Sequence, residues 1–195
     1  MVKKITKIEI IKLYLFDYEK RYYLRELAML LKKPHQSIKP YVEELVREKI
    51  LTKEERKNIT DYKLNFQEKK IYEYLTIAEK EKLLLRLEAD PLLKLLFEKL
   101  SQYFTKTTFI IFGSFAQGTQ AQDIDLLVLG KEIPTQTLKE FEETYQKKIH
   151  KIHGKELSLL PASFLQEIYQ KHLILNNTET ILRFFGEHYG KNRVV

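Results

Sequence analysis

The residues best placed to do chemistry lie in FIIFGSFAQGTQAQDIDLLVLG, which spans residues 109 to 130. Two apolar runs flank a small-residue turn, Gly113-Ser114, and two aspartates, Asp123 and Asp125. Gly113 would let the backbone approach a phosphate closely, and Ser114 offers a hydroxyl group. If a helix begins at Ser114, its free N–H groups and its dipole would also favour an anion. The turn therefore has the residue types of a phosphate-binding loop.

The two aspartates alternate with the apolar residues Ile124 and Leu126. Residues i and i+2 of a strand point to the same face, so the carboxylates of Asp123 and Asp125 should converge. Like charges at short range repel each other unless they share a cation or a proton. A hard divalent cation such as Mg²⁺, bound by the carboxylates and by nucleotide phosphates, would relieve this repulsion. The alternative is a half-exposed strand that carries two solvated acids.

The Gly-Ser turn after one strand and the Asp-x-Asp pair on the next resemble the polymerase-β-type nucleotidyltransferase superfamily, and its minimal members most of all. The resemblance covers about residues 92 to 190. Its motif positions are Gly113, Ser114, Ala116, Gly118, Asp123, Asp125 and the run Leu126-Leu127-Val128.

This resemblance implies that Gly113 and Ser114 hold the triphosphate of an NTP, which we expect to be ATP. Asp123 and Asp125 would be catalytic ligands of Mg²⁺ or Mn²⁺. The reaction would move a nucleoside monophosphate to a hydroxyl group and release pyrophosphate.

The resemblance also implies a third carboxylate, on a neighbouring strand, that helps to deprotonate the nucleophile. We expect this strand at GKELSLLP, residues 154 to 161, where Glu156 and Ser158 would share one face. If Glu156 is the matching residue, the catalytic set is complete. If Ser158 is, the site has two metal ligands and weak or absent catalysis. The sequence leaves both alignments open because strand register is not readable from one chain.

A basic stretch, KKIHKIHGK, precedes that strand at residues 147 to 155 and holds four lysines and two histidines. It could bind a nucleotide phosphate or an acidic partner. His150 and His153 have helical spacing for a zinc site, but the sequence offers no further ligands. The remaining interpretation is a solvated, basic end of a helix over residues 135 to 149.

The pattern after residue 105 alternates strands and helices. We predict strands at TTFIIF, DIDLLVLG and GKELSLLP, helices at ASFLQEIYQ and NTETILRFFGEHY, and an extended HLIL between those helices. This is an α+β or α/β arrangement around a small mixed sheet. Residues 67 to 104 read as two helices divided at Asp90-Pro91, and they lack the Gly and Ser of a flexible tether. We therefore predict domains at residues 1–66 and 105–195, joined by a helical linker.

The N-terminal segment predicts three helices followed by a hairpin. The first lies within residues 5 to 17, where Ile5, Ile8, Ile11 and Leu15 are close to a helical period. Apolar residues at helical spacing run from Leu24 to Leu31, and Pro34 ends that helix. Ser37 as an N-cap would begin the third helix and place Pro40 in its first turn. LTKEERKNITDYKLN predicts two strands around a polar tip.

This order resembles a winged helix-turn-helix domain over roughly residues 5 to 65. In that family the second helix of the helix-turn-helix pair enters the major groove and the wing contacts the DNA backbone. The implied DNA-binding residues are His35, Gln36, Ser37 and Lys39 on the helix and Arg56 and Lys57 on the wing. Such domains commonly act as dimers on two half-sites, so we expect a homodimer.

Charge supports a polyanionic partner for this segment. Residues 1 to 66 hold 16 basic and 10 acidic residues, so they carry most of the chain's formal charge of +7. The acidic residues Glu43, Glu44 and Glu48 on the third helix favour the alternative, a helical interaction module that does not bind DNA.

Composition excludes several classes of protein. The chain has 195 residues, of which 44% are hydrophobic and 31% charged, so it can bury a core. It lacks cysteine, which excludes disulfides and thiolate chemistry and fits the reducing cytoplasm where we expect the protein. No apolar run has the length of a membrane span, and the N-terminus does not resemble a signal peptide.

Two functional hypotheses follow. The first is a nucleotidyltransferase coupled to DNA binding. Its acceptor, by resemblance to minimal nucleotidyltransferases of toxin–antitoxin pairs, would be a tyrosine hydroxyl of a partner protein. The second is a DNA-binding transcriptional regulator whose nucleotidyltransferase domain binds nucleotide but has weak or no activity.

Overall fold

A computed structural model describes residues 5–56, 59–118 and 121–190. The chain divides into two compact units. The first unit comprises Met1–Ala78 and Leu182–Val195, and the second comprises Glu79–Ile181.

The first unit is built from short helices and a small antiparallel sheet. Its elements are α1 (Lys7–Ile11), a 3₁₀ turn (Lys12–Tyr14), β1 (Tyr22–Tyr23), α2 (Leu24–Leu31), α3 (His35–Arg47), β2 (Leu51–Arg56), β3 (Ile59–Leu64) and the start of α4 (Ile71–Ala89). The strands are ordered β1-β3-β2. The buried core of the unit includes Ile10, Ile11, Tyr14, Leu27, Ile38, Val42, Leu45, Ile50 and Leu51.

Helix α3 begins three residues earlier than predicted. Its N-cap is Pro34, and Ser37 is already its third residue, with the Ser37 N–H donating to the Pro34 carbonyl at 3.0 Å. The prediction of Ser37 as N-cap is therefore wrong. Pro40 consequently lies inside the helix, where it lacks the N–H that would bond to the carbonyl of Gln36. The predicted hairpin is present as β2 and β3, and Arg56 is the register partner of Ile59.

The second unit surrounds a mixed sheet. Its elements after α4 are α5 (Pro91–Ser101), β4 (Thr107–Phe112), α6 (Gly113–Ala116), β5 (Asp123–Gly130), α7 (Thr135–Tyr145), β6 (Lys148–Gly154), a 3₁₀ turn (Leu157–Leu159), α8 (Ala162–Gln170), β7 (His172–Ile174) and α9 (Thr178–Tyr189). The strands are ordered β6-β5-β4-β7. Strand β5 is parallel to β6, and the other pairs are antiparallel. The α+β class with a small mixed sheet agrees with the prediction.

Helix α5 belongs to the core of this unit. Asp90 caps the helix by accepting a hydrogen bond from the Leu93 N–H at 3.0 Å, and Pro91 occupies its first turn, as the sequence predicts. The α5 residues Leu93 and Leu96 are fully buried against Phe109 of β4 and its neighbours. No helix in the described part of the chain is long and apolar enough to cross a membrane.

The strand after α7 lies earlier than predicted. Helix α7 ends at Tyr145 because Gln146 adopts a left-handed conformation with φ 51°, and β6 begins at Lys148. The predicted strand GKELSLLP is instead the end of β6 followed by a 3₁₀ turn. The predicted helix over residues 135 to 149 included Ile149, which lies on β6 instead. On an edge strand only Ile149 is buried, so the alternation typical of a strand is weak.

Candidate functional site

The Gly-Ser turn directly follows β4 and lies against Asp125. Gly113 has φ +72°, in the left-handed region, and its N–H donates to the carbonyl of Lys171 at 3.0 Å. A Cβ atom at residue 113 would stand 2.7 Å from Oδ2 of Asp125. Ser114 follows with an exposed side chain, in the single helical turn α6. Glycine is therefore required both by the backbone conformation and by the carboxylate beside it.

Asp123 and Asp125 lie on one face of β5, at the N-terminal end of that strand. Their side chains are 41% and 33% exposed, whereas Ile124 and Leu126 on the opposite face are fully buried. Phe112, the last residue of β4, is the register partner of Asp125. The pairing of β4 with β5 thus brings the turn and both carboxylates to the same edge of the sheet.

A histidine of β6 faces the same two carboxylates. The parallel register places His150 opposite Asp125. Its Nδ1 is 3.4 Å from Oδ1 of Asp125, and its Nε2 is 4.0 Å from Oδ2 of Asp123. His150 thus occupies the neighbouring-strand position where we expected a carboxylate. The sequence suggested only zinc, a nucleotide phosphate or an acidic partner for this stretch, because it was assigned to the end of a helix.

Glu156 does not lie beside the aspartates. Strand β6 ends at Gly154, the register partner of Leu129. Leu129 is four residues from Asp125, or about 13 Å at roughly 3.3 Å per residue. Glu156 lies beyond that end, exposed, and accepts a hydrogen bond from the Ser158 hydroxyl at 2.6 Å. Both alignments of the expected strand are therefore wrong, since neither residue is on a strand.

The two aspartates fit a hard cation as a pair of ligands. Among the described residues, no group of three acidic, histidine or cysteine side chains is arranged to hold a metal ion. Mg²⁺ is commonly held by one or two carboxylates, with water and substrate phosphates as its other ligands. The exposed carboxylates of Asp123 and Asp125 suit that partial coordination.

A buried polar cluster lies behind the turn, at the start of β7. His172 places Nε2 2.8 Å from Oε1 of Glu79 and Nδ1 2.8 Å from the carbonyl of Tyr169. The Lys82 ammonium donates to Oε1 of Glu79 and to the His172 carbonyl, both at 2.9 Å. Burial alone would raise the pKa of Glu79, but Lys82 and His172 outweigh it and lower that pKa to about 2. The cluster anchors α4 to β7.

The expected DNA-binding residues lie in the first unit. His35, Gln36, Ser37 and Lys39 are exposed in the first turns of α3, Arg56 ends β2, and Lys57 lies outside the described residues. The Lys39 ammonium is 3.7 Å from a carboxylate oxygen of Glu43 on the same helix.

The α+β fold of the second unit is consistent with a nucleotidyltransferase-like domain. Residues 93–181 match the family model described as "Nucleotidyltransferase domain". A similar solved structure is described as "Crystal structure of the toxin-antitoxin with AMP-PNP". It is 16% identical, with a TM-score of 0.33, over 48% of this chain and 88% of that chain. No curated protein matches this chain.

Proposed function

We propose that the protein transfers a nucleoside monophosphate from an NTP, ATP in the first instance, to a hydroxyl acceptor. The family match over residues 93–181 supports nucleotidyl transfer in general. The observation that carries the proposal is the contact between Gly113 and the carboxylate of Asp125. It places a turn that suits phosphate next to a carboxylate that suits a cation.

The chain's own residues would divide the work as follows. Gly113 lets the backbone approach the triphosphate, and the Ser114 hydroxyl donates to a phosphate oxygen. Asp123 and Asp125 hold Mg²⁺ or Mn²⁺, which when bound polarises the phosphoryl group and favours the attacking hydroxyl. His150 contacts both carboxylates and so restricts their orientation.

A second candidate function is a regulator that binds nucleotide with weak or no catalysis. One observation favours it: His150, a neutral or cationic side chain, stands on β6 where a third carboxylate was expected. A site with only two carboxylates has fewer anionic ligands for cations and lacks a carboxylate base for the acceptor hydroxyl. The two candidates therefore share nucleotide binding and differ in turnover.

We further propose that the first unit is a winged helix-turn-helix domain that binds DNA as a homodimer. The order of α2, α3 and the β2–β3 hairpin supports this, as do the exposed polar residues that begin α3. Ion pairs of α3 oppose DNA binding. Lys39 pairs with Glu43, and Glu44 and Glu48 both pair with Lys7.

For the transferase activity, the proposed acceptor is a tyrosine hydroxyl of a partner protein.

The deciding experiment incubates the protein with each α-labelled NTP and either Mg²⁺ or Mn²⁺, with and without the protein encoded beside it. Label on an acceptor, lost in Asp123→Asn and Asp125→Asn, supports the transferase. Nucleotide binding without labelled product supports the regulator. If the protein neither transfers label nor binds nucleotide, both proposals for the second unit fail.

A further inference from the structure

Two cationic side chains contact the part of the chain that carries the Gly-Ser turn and the two aspartates, although neither side chain belongs to that motif. We call the described residues 113–118 and 121–125 the site segment, since its first part holds the phosphate turn and its second part ends with the aspartates. Arg86 of α4 contacts its first part, and Lys147, just before β6, contacts its later part. Arg86 precedes the region that matches the nucleotidyltransferase family, which begins at residue 93.

Arg86 connects the turn to two helices. Its Nη2 donates to the carbonyl of Phe115 at 3.2 Å and to Oδ2 of Asp90, the N-cap of α5, at 3.4 Å. A Cβ atom at Gly118 would stand 2.3 Å from Nη1 of Arg86, and Gly118 has φ +81°. The guanidinium group therefore packs directly against the residue that ends the turn, and glycine there leaves room for it.

Lys147 contacts the segment on its other side. Its ammonium group donates to the carbonyl of Ala121 and lies 5.9 Å from the centroid of the Phe115 ring. Ala121 stands two residues before Asp123. Arg86 thus contacts the first part of the segment, and Lys147 contacts the part that begins at Ala121. Both side chains also reach Phe115, Arg86 at its carbonyl group and Lys147 at its ring.

The first part of the segment needs such contacts because its only helix, α6, is short. Helix α6 is a single turn of four residues, and an isolated turn is not stable in water. The distance between the phosphate turn and the metal ligands must stay fixed to within about half an ångström if one nucleotide is to bind to both. Charge-assisted hydrogen bonds to backbone carbonyls hold such a spacing more firmly than neutral ones.

We propose that Arg86 and Lys147 are positioning residues that hold the site segment in its nucleotide-binding shape. The part of the proposal that concerns nucleotide rests on the function proposed above. The two side chains also place fixed positive charge beside a segment that receives a polyanion. Arg86 is the more demanding of the two, because its Nη2 serves Phe115 and Asp90 while its Nη1 packs against Gly118, and a lysine has a single nitrogen for these positions.

The test compares Arg86→Gln and Lys147→Gln with Lys94→Gln, which removes the same charge from an exposed position on α5. Amide hydrogen exchange of residues 113–118 should accelerate in Arg86→Gln, and that of residue 121 in Lys147→Gln. The affinity for a non-hydrolysable ATP analogue should fall roughly tenfold or more in each, as expected for a lost charge-assisted bond. Arg86→Lys should recover little of the affinity, and Lys94→Gln should behave as wild type.

Gly118→Ala tests the Arg86 contact without changing any charge, so it serves if Arg86→Gln does not fold. Its Cβ must displace the guanidinium group, and exchange at residues 113–118 should again accelerate. Unchanged exchange in Gly118→Ala and Lys147→Gln would overturn the positioning role. If wild-type protein binds no nucleotide, the proposed function fails, yet hydrogen exchange still decides whether these residues hold the segment.

Discussion

Gly113 and Asp125 meet so closely that a single added carbon at residue 113 would stand 2.7 Å from the Asp125 carboxylate. The contact joins the end of β4 to the start of β5, because Phe112 and Asp125 are register partners. It ties the conformation of a turn to the position of an acidic side chain. A change at either residue should therefore affect both phosphate and cation binding.

Gly113→Ala should abolish metal-dependent nucleotide binding. The left-handed conformation alone costs a non-glycine residue about 1–2 kcal/mol, and the new methyl group would also push the Asp125 carboxylate aside. Titration calorimetry with Mn²⁺ and an ATP analogue measures the effect. Gly154→Ala is the control, since its Cβ would meet only two leucine methyl groups at 3.4 Å. Wild-type affinity in Gly113→Ala would contradict the contact's importance.

Asp125→Asn should lower label transfer at least about a hundredfold, because losing a metal ligand costs no less than losing a side chain that supports one. Glu156→Gln should leave transfer unchanged, since Glu156 lies beyond the far end of β6 and bonds to Ser158. Initial rates of labelled product formation measure both. A comparable loss in Glu156→Gln would mean that the chain reaches the site in another conformation.

His150→Asp should raise the affinity for Mn²⁺, because it adds a carboxylate on β6 next to Asp125. His150→Ala should weaken Mn²⁺ binding about 10- to 100-fold, the usual effect of removing a group that orients metal ligands. Electron paramagnetic resonance of free Mn²⁺ reports both affinities. His153→Ala is the control, since this side chain contacts the Gly130 carbonyl and alternates to the other face of β6. Equal affinities in all three variants would exclude His150 from the site.

Glu79→Gln should destabilise the second unit by about 3–5 kcal/mol at neutral pH, because it leaves Lys82 and His172 without their buried carboxylate partner. The folded-state pKa of Glu79, about 2, is below its ordinary value of 4.5. Its contribution to stability is therefore present above pH 4.5 and is lost as the pH falls from 4.5 towards 2.

Urea denaturation between pH 7 and pH 2.5 measures this dependence. Wild-type protein should lose stability more steeply below pH 4.5 than Glu79→Gln does. Glu88→Gln, at an exposed position on the same helix, should follow the wild-type curve. Parallel curves for wild type and Glu79→Gln would show that the carboxylate does not contribute in its charged form.

DNA retention by the protein should weaken steeply with salt, since phosphate contacts release counterions. Lys39→Ala and Arg56→Ala should each reduce the slope of log K against log salt by about one. Fluorescence anisotropy over a salt series measures the slope. Lys69→Ala, an exposed lysine of the first unit outside α3 and the hairpin, is the control. Slopes that match the control would count against the proposed docking.

The sequence by itself determined what depends on neighbours along the chain. The alternation of acidic and apolar residues in β5 was enough to place Asp123 and Asp125 on one face, and Gly113 marked the turn before it. The Asp90-Pro91 break between α4 and α5 was readable for the same reason. These features follow from local backbone geometry and need no knowledge of distant residues.

Only the tertiary structure decided which residues from elsewhere reach the aspartates. The parallel register of β5 and β6 brings His150 to Asp125 and carries Glu156 past the far end of the sheet. Arg86 meets Gly118 across more than thirty residues of chain. Strand register and helix packing are set by non-local burial and pairing, which the weak alternation of an edge strand such as β6 does not record.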